Sequence, residues 1–113
     1  DYNGFDGTLP TELAALPQLK FLLLAQDSLR GALPSELGTL PRLAFIDLYS
    51  HQLTGTIPGE IFSLSSLEYL NVRNNDLSGS IPSTVGNLSK LRALLLDSNH
   101  MTGTIPNTLG NIN

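Results

Sequence analysis

Ser50, His51 and Asp27 are the residues of this chain that come nearest to a reacting constellation. A hydroxyl beside an imidazole, with a carboxylate one 24-residue step earlier, is the raw material of acyl transfer. That chemistry needs the hydroxyl and the imidazole to meet, so the face each residue takes decides the matter. Asp1-x-Asn3 with Glu12 offers a second possibility, part of the oxygen-ligand spacing of a calcium loop. Phe5 stands at a ligand position and Asp6 replaces the required glycine, so the pattern fails. A third set recurs at equal intervals: Phe21, Phe45 and Tyr69; Asp47 and Asn71; Tyr49, Arg73 and Asp97. Rings with a few polar anchors on one surface are the chemistry of recognition rather than of bond making. The chain has no Cys, which excludes thiolate zinc sites and disulfides. No residue set points to a cofactor or metal.

The elements that position these residues follow from a repeat. Gly-x-Leu/Ile-Pro occurs at Gly7–Pro10, Gly31–Pro34, Gly55–Pro58, Gly79–Pro82 and Gly103–Pro106, each 24 residues after the last. The apolar positions keep the same period. One unit reads Leu40, Leu43, Ile46, Leu48, His51, Leu53, Gly55, Ile57, Pro58, Ile61, Leu64. Leu-x-Leu pairs such as Leu22 and Leu24 alternate with period two, the pattern of a short strand with one face buried. A single coil cannot bury these side chains, but stacked coils bury them against one another about 4.8 Å apart. The inward column that follows each strand is Asn3, Asp27, His51, Asn75 and Asn99. A buried amide there must find backbone partners. His51 therefore points inward and Ser50 outward, which ends the acyl-transfer reading; Asp27 and His51 become structural substitutes for Asn. Pro fixes φ for a short helical turn, with Glu12, Glu36 and Glu60 near its positive end.

The motif Leu-x-x-Leu-x-x-Leu-x-Leu-x-x-Asn-x-Leu-x-Gly-x-Ile-Pro-x-x-Leu-Gly-x-Leu, best matched from Leu88 to Gly110, resembles the plant-type, 24-residue class of leucine-rich repeat proteins. The resemblance covers essentially the whole chain. It implies a right-handed α/β solenoid with a parallel β-sheet on its concave face. Short helical turns would lie on the convex face, and a second short strand near Leu-x-Gly-x-Ile-Pro. Members of this class include ectodomains of receptor-like kinases and receptor-like proteins, and polygalacturonase-inhibiting proteins. Residues 1–113 form one repeat segment of about five coils with no polar cap at either end. A piece of a longer solenoid is the expectation, its ends capped by further sequence or by a partner chain. Leu9, Leu13 and Leu16 at one end, and Leu96, Met101 and Ile105 at the other, are expected to face water.

Between the strand leucines, outward positions form columns, one residue per coil. Phe21, Phe45, Tyr69 and Ala93 form the first. Leu23, Asp47, Asn71 and Leu95 form the second, and Ala25, Tyr49, Arg73 and Asp97 the third. Phe45, Tyr49, Tyr69 and Arg73 would make one ligand-binding patch. The aromatic column could equally be cross-strand stacking, and Arg73 could be neutralised by Asp97 and packed on Tyr49. Ser/Thr residues flanking the glycines (Thr54, Thr56, Ser78, Ser80, Thr102, Thr104) suggest two hydroxyl columns like those of ice-binding solenoids. Asp6, Arg30 and Ala32 interrupt them. Asn87-Leu88-Ser89 is a glycosylation sequon on the convex side.

A formal net charge of -4 without a basic run gives no footprint for nucleic acid or anionic lipid. No run approaches a membrane span, so no direct membrane contact is expected of this segment. The reading that results is a non-enzymatic, extracellular recognition module whose concave face binds a protein, peptide or glycan. A structural subunit of a larger assembly is the alternative, and an ice-binding solenoid a minor one.

Overall fold

A computed structural model describes residues 7–24 and 29–103. Asn3, Asp27 and Ile105 lie outside the described residues. The eight short strands of the described residues fall into two four-stranded parallel sheets. The first sheet holds β1 (Phe21–Leu23), β3 (Phe45–Asp47), β5 (Tyr69–Asn71) and β7 (Ala93–Leu95) in that order. The second holds β2 (Arg30–Gly31), β4 (Gln52–Thr56), β6 (Asp76–Gly79) and β8 (His100–Met101). On the remaining side each coil makes a five-residue 3-10 turn: Thr11–Ala15, Ser35–Thr39, Gly59–Ser63 and Ser83–Asn87. The helical turns expected on the convex side are thus 3-10.

Proline sets where each turn starts. Pro10, Pro34, Pro58 and Pro82 stand immediately before the turns with φ between -59° and -73°. Their carbonyls accept the amides of Leu13, Leu37, Ile61 and Val85 at 3.0–3.3 Å, the i to i+3 bond of a 3-10 turn. Proline has no N–H to leave unpaired there.

The interior is one continuous cluster. Leu22, Ile46 and Leu70 reach it from the first sheet, Leu53 and Leu77 from the second, and Leu29 from the residue before β2. Leu37, Ile61, Phe62 and Val85 reach it from the turns. Each fully buried aliphatic side chain contributes roughly 1.5–3 kcal/mol of transfer free energy, and none can do so without its neighbouring coils. Leu9 is buried too, unlike the water-facing position expected for it, whereas Leu16 is 49% exposed. Leu13, Leu96 and Met101 are partly buried against the cluster.

The two sheets step differently. In the first, Phe21 pairs with Phe45, Ile46 with Leu70, and Asn71 with Leu95, always one repeat of 24 apart. In the second, Arg30 pairs with Gln52, Thr56 with Ser78, and Ser78 with His100, only 22 apart. Columns of equivalent residues are therefore real neighbours in the first sheet and displaced by two residues in the second.

Asn75 links the sheets. Its Oδ1 accepts the Leu53 amide at 3.0 Å, and its Nδ2 donates to the carbonyls of Leu48 (2.9 Å), Val72 (3.0 Å) and Arg73 (3.2 Å). Asn99 repeats the arrangement, accepting from Leu77 at 2.9 Å and donating to Val72 at 2.8 Å and Leu96 at 3.1 Å. His51 is buried in the same place. Its Nδ1 accepts the Leu29 amide at 3.3 Å, and its Nε2–H donates to the Leu24 carbonyl. One ring nitrogen thus imitates the amide oxygen and the other the amide nitrogen, in the tautomer that carries its proton on Nε2.

Candidate ligand-binding face

Residues 45, 47, 69 and 71 alternate with the buried residues 46 and 70, so they stand on the outward side of the first sheet. The Phe21 and Phe45 rings stack with centroids 5.0 Å apart, and Phe45 and Tyr69 tilt at 6.3 Å. The aromatic column is thus a stacked row, and the cross-strand stacking reading holds for it. Stacking does not hide the row: Phe21 is 52% exposed and Leu23, also outward, 58%. Together with Leu16 they are the exposed large hydrophobics of the described residues. Lys20 Nζ lies 5.5 Å from the Phe21 ring centroid.

Beside the rings runs a fixed polar line. Asp47 Oδ1 accepts the Tyr49 amide at 3.2 Å and Asn71 Nδ2 at 3.1 Å. Asn71 Nδ2 also donates to the Tyr69 hydroxyl at 3.4 Å, while its Oδ1 accepts the Arg73 amide at 3.1 Å. Asn71 is buried by these neighbours, so it holds the face in shape more than it offers itself to a ligand. The i to i+2 bonds of Asp47 and Asn71 close a local turn at the end of each strand. The residues that follow are left-handed, Ser50 with φ 66° and Asn74 57°, and so is Ser98 with 60°, where Leu95 can make no such bond. Asn and small polar residues tolerate that conformation better than branched ones.

The third column is present as well. Arg73 Nε and Asp97 Oδ2 are 3.5 Å apart at exposed positions, where an ion pair stabilises little and water competes. Tyr49 is tied by its hydroxyl to Asn74 Nδ2, 3.5 Å away. Among the described residues the cation over an aromatic ring is Lys20, not Arg73, so the expected packing of Arg73 on Tyr49 is not what the structure has. Ala44, an outward-edge position in the repeat, is buried; its carbonyl accepts the amides of both Glu68 and Tyr69.

On the second sheet the two-residue step shifts the expected hydroxyl columns: Thr56 still lies opposite Ser78. Thr54 lies opposite Asp76, and Ser78 lies opposite His100. The Ser78 hydroxyl donates to the Gly55 carbonyl at 3.4 Å and Thr102 to that of Gly79 at 3.3 Å. His100, in β8, sits 3.4 Å from Asp76 at an exposed position. Among the described residues no three metal-ligating side chains cluster, and no helix is long and apolar enough to cross a membrane. Asn87 is exposed at the end of the last 3-10 turn.

Comparison with known proteins agrees with this architecture. Residues 41–101 match the family model described as leucine rich repeat. No curated protein matches. Among solved structures, the plant peptide hormone receptor RGFR1 in complex with RGF2 superposes with a TM-score of 0.90 at 35% identity, covering 93% of this chain and 17% of the receptor. The BIR3–SERK2 complex from Arabidopsis thaliana gives 0.85 at 38% identity, with 91% and 55% covered. A plant ice-binding protein gives 0.87 at 35% identity, with 93% and 34% covered. The chain spans about a sixth to about half of these proteins. With its unbroken period, its inward amide column and this match over more than half its length, the chain belongs to the leucine-rich repeat family, in its plant-type form.

Proposed function

We propose that this chain is a recognition segment of an extracellular or cell-surface leucine-rich repeat protein. It binds a peptide or a protein through the outward face of the first sheet. The observation that carries the reading is the stacked aromatic row on that face, Phe21, Phe45 and Tyr69, half-buried along its length and exposed at Phe21, bordered by the fixed Asp47–Asn71 line and the Arg73–Asp97 pair. Exposed apolar surface with a polar rim marks interaction sites. Rings supply most of the energy of such contacts, and fixed polar groups supply the selectivity. The similarity to a plant peptide hormone receptor supports the same reading.

The test is direct. Peptides selected by the whole chain from a displayed random library should lose binding to a Tyr49→Ala/Arg73→Ala double variant whose circular dichroism is unchanged. Equal binding by the double variant would overturn the assignment of that line.

The likeness to a plant ice-binding protein favours a second reading. That function would fall to the hydroxyls of the second sheet, where Asp76 and His100 interrupt the rows. Thermal hysteresis of the purified chain separates the two readings, and only ice binding produces it.

A further inference from the structure

The first-sheet face contains a feature that its shape alone does not require. Asp47 spends one carboxylate oxygen twice, on the Tyr49 amide and on Asn71. Among the described residues its other oxygen, Oδ2, has no donor. The carboxylate is half-buried, and its orientation is set by those two bonds rather than by a cation. Phe45 precedes it by two residues on the same face, about 6.6 Å along the strand. Tyr69 lies beside Phe45, its hydroxyl held by Asn71. Among the described residues, then, a pinned anion with one oxygen that takes no donor shares a face with two rings.

One ring of the aromatic row already has a cation beside it. Its first ring, Phe21, has the ammonium of Lys20 over it. Among the described residues the Phe45 and Tyr69 rings have no such cation. The nearest guanidinium of the adjoining column, on Arg73, is engaged with Asp97. Ring faces attract cations within about 6 Å, and a carboxylate oxygen adds a charge-assisted hydrogen bond.

From this juxtaposition we infer that the face selects a basic side chain, Lys or Arg, of an extended peptide. The aliphatic stem lies along Phe45 and Tyr69, and the charged head donates to Asp47 Oδ2. The inference rests on the recognition reading above and narrows it to one ligand class.

A displayed random 12-residue peptide library, panned on the whole chain at about 0.15 M salt to screen non-specific attraction, supplies the probes. Selected peptides should carry Lys or Arg at one fixed place. Changing that residue to norleucine should weaken binding about tenfold or more. Asp47→Asn keeps the oxygen that serves Tyr49 and Asn71 but removes the charge. It should give the same loss for basic peptides and none for their norleucine forms. Phe45→Leu with Tyr69→Leu should weaken basic peptides several-fold while the fold persists by circular dichroism. Glu36→Gln, on the 3-10 side, should change nothing. Selected peptides without a basic residue, or basic peptides that bind Asp47→Asn as tightly as the native chain, would overturn the inference and leave the recognition reading standing. A library that yields no binder would overturn both.

Discussion

The two sheets are cut from the same repeat yet behave as different surfaces. The first pairs residues one full period apart, so like stacks on like: Phe21 on Phe45 on Tyr69. The second pairs residues two short of a period, so different repeat positions meet: Thr54 with Asp76, Thr56 with Ser78, Ser78 with His100. A repeat therefore builds a uniform column only where the coil-to-coil step equals the period. Where the backbone slants between coils, the same repetition produces a mixed surface. The first sheet presents a stacked aromatic row, the second a mixed surface.

The largest effect should come from the residue that joins the two. Asn75→Ala removes the partner of the Leu53 amide and of the Leu48 carbonyl, while the Val72 and Arg73 carbonyls keep the Asn99 amide and the Ser50 N–H. Buried polar groups left without partners cost about 1–3 kcal/mol each, so a loss of about 3 kcal/mol or more in urea unfolding is expected. A loss below about 1 kcal/mol would mean that the amide does not couple the sheets.

Glycine in the second sheet comes next. Gly79 has φ 86°, and a Cβ there would lie 2.7 Å from the Thr56 methyl. Gly79→Ala should cost about 2 kcal/mol through strain and crowding. Gly59→Ala, where a Cβ meets nothing within 4 Å, should stay within about 0.5 kcal/mol. Equal costs at the two sites would break the account of the second sheet.

A smaller change separates imitation from mere filling at His51. His51→Asn should unfold within about 1 kcal/mol of the native chain, because Asn can make the same two bonds. His51→Leu should cost about 1–2 kcal/mol by leaving the Leu29 amide and Leu24 carbonyl unpaired. The smallest effect is expected on the outward face. Asp97→Asn removes an ion pair whose side chains are 45% and 73% exposed, and its cost, discounted for screening, should be about 0.5 kcal/mol or less. A large cost there would place the outer line in the stability of the fold rather than in binding.

Much of this was legible in the sequence because the repeat keeps strict register. The strands, the prolines before each turn, the inward column at His51, Asn75 and Asn99, and the stacked aromatic row all follow from the 24-residue period and from which side chains water rejects. Other features depend on the path of the backbone between coils, which no pattern of residue types encodes. The slanted step of the second sheet is one, and it shifts the hydroxyl columns so that Asp76 and His100 interrupt them. The burial of Asn71 is another: its position alternates outward, but Asp47, Tyr69 and the Arg73 amide close around it. Phe62 was missed altogether. It occupies a position where equivalent coils have Ala14, Gly38 and Gly86, yet it is among the most buried side chains. An aromatic residue in a column of small ones was the available signal.

The central claim is that recognition belongs to the outward face of the first sheet. Nuclear magnetic resonance of the isotopically labelled chain, titrated with a selected peptide, addresses it most directly. The account predicts shifted amide signals along residues 45–49, 69–73 and 93–97, with the strands of the second sheet and the 3-10 turns unmoved. Shifts confined to residues 52–56 and 76–79, or to the turns, would contradict it.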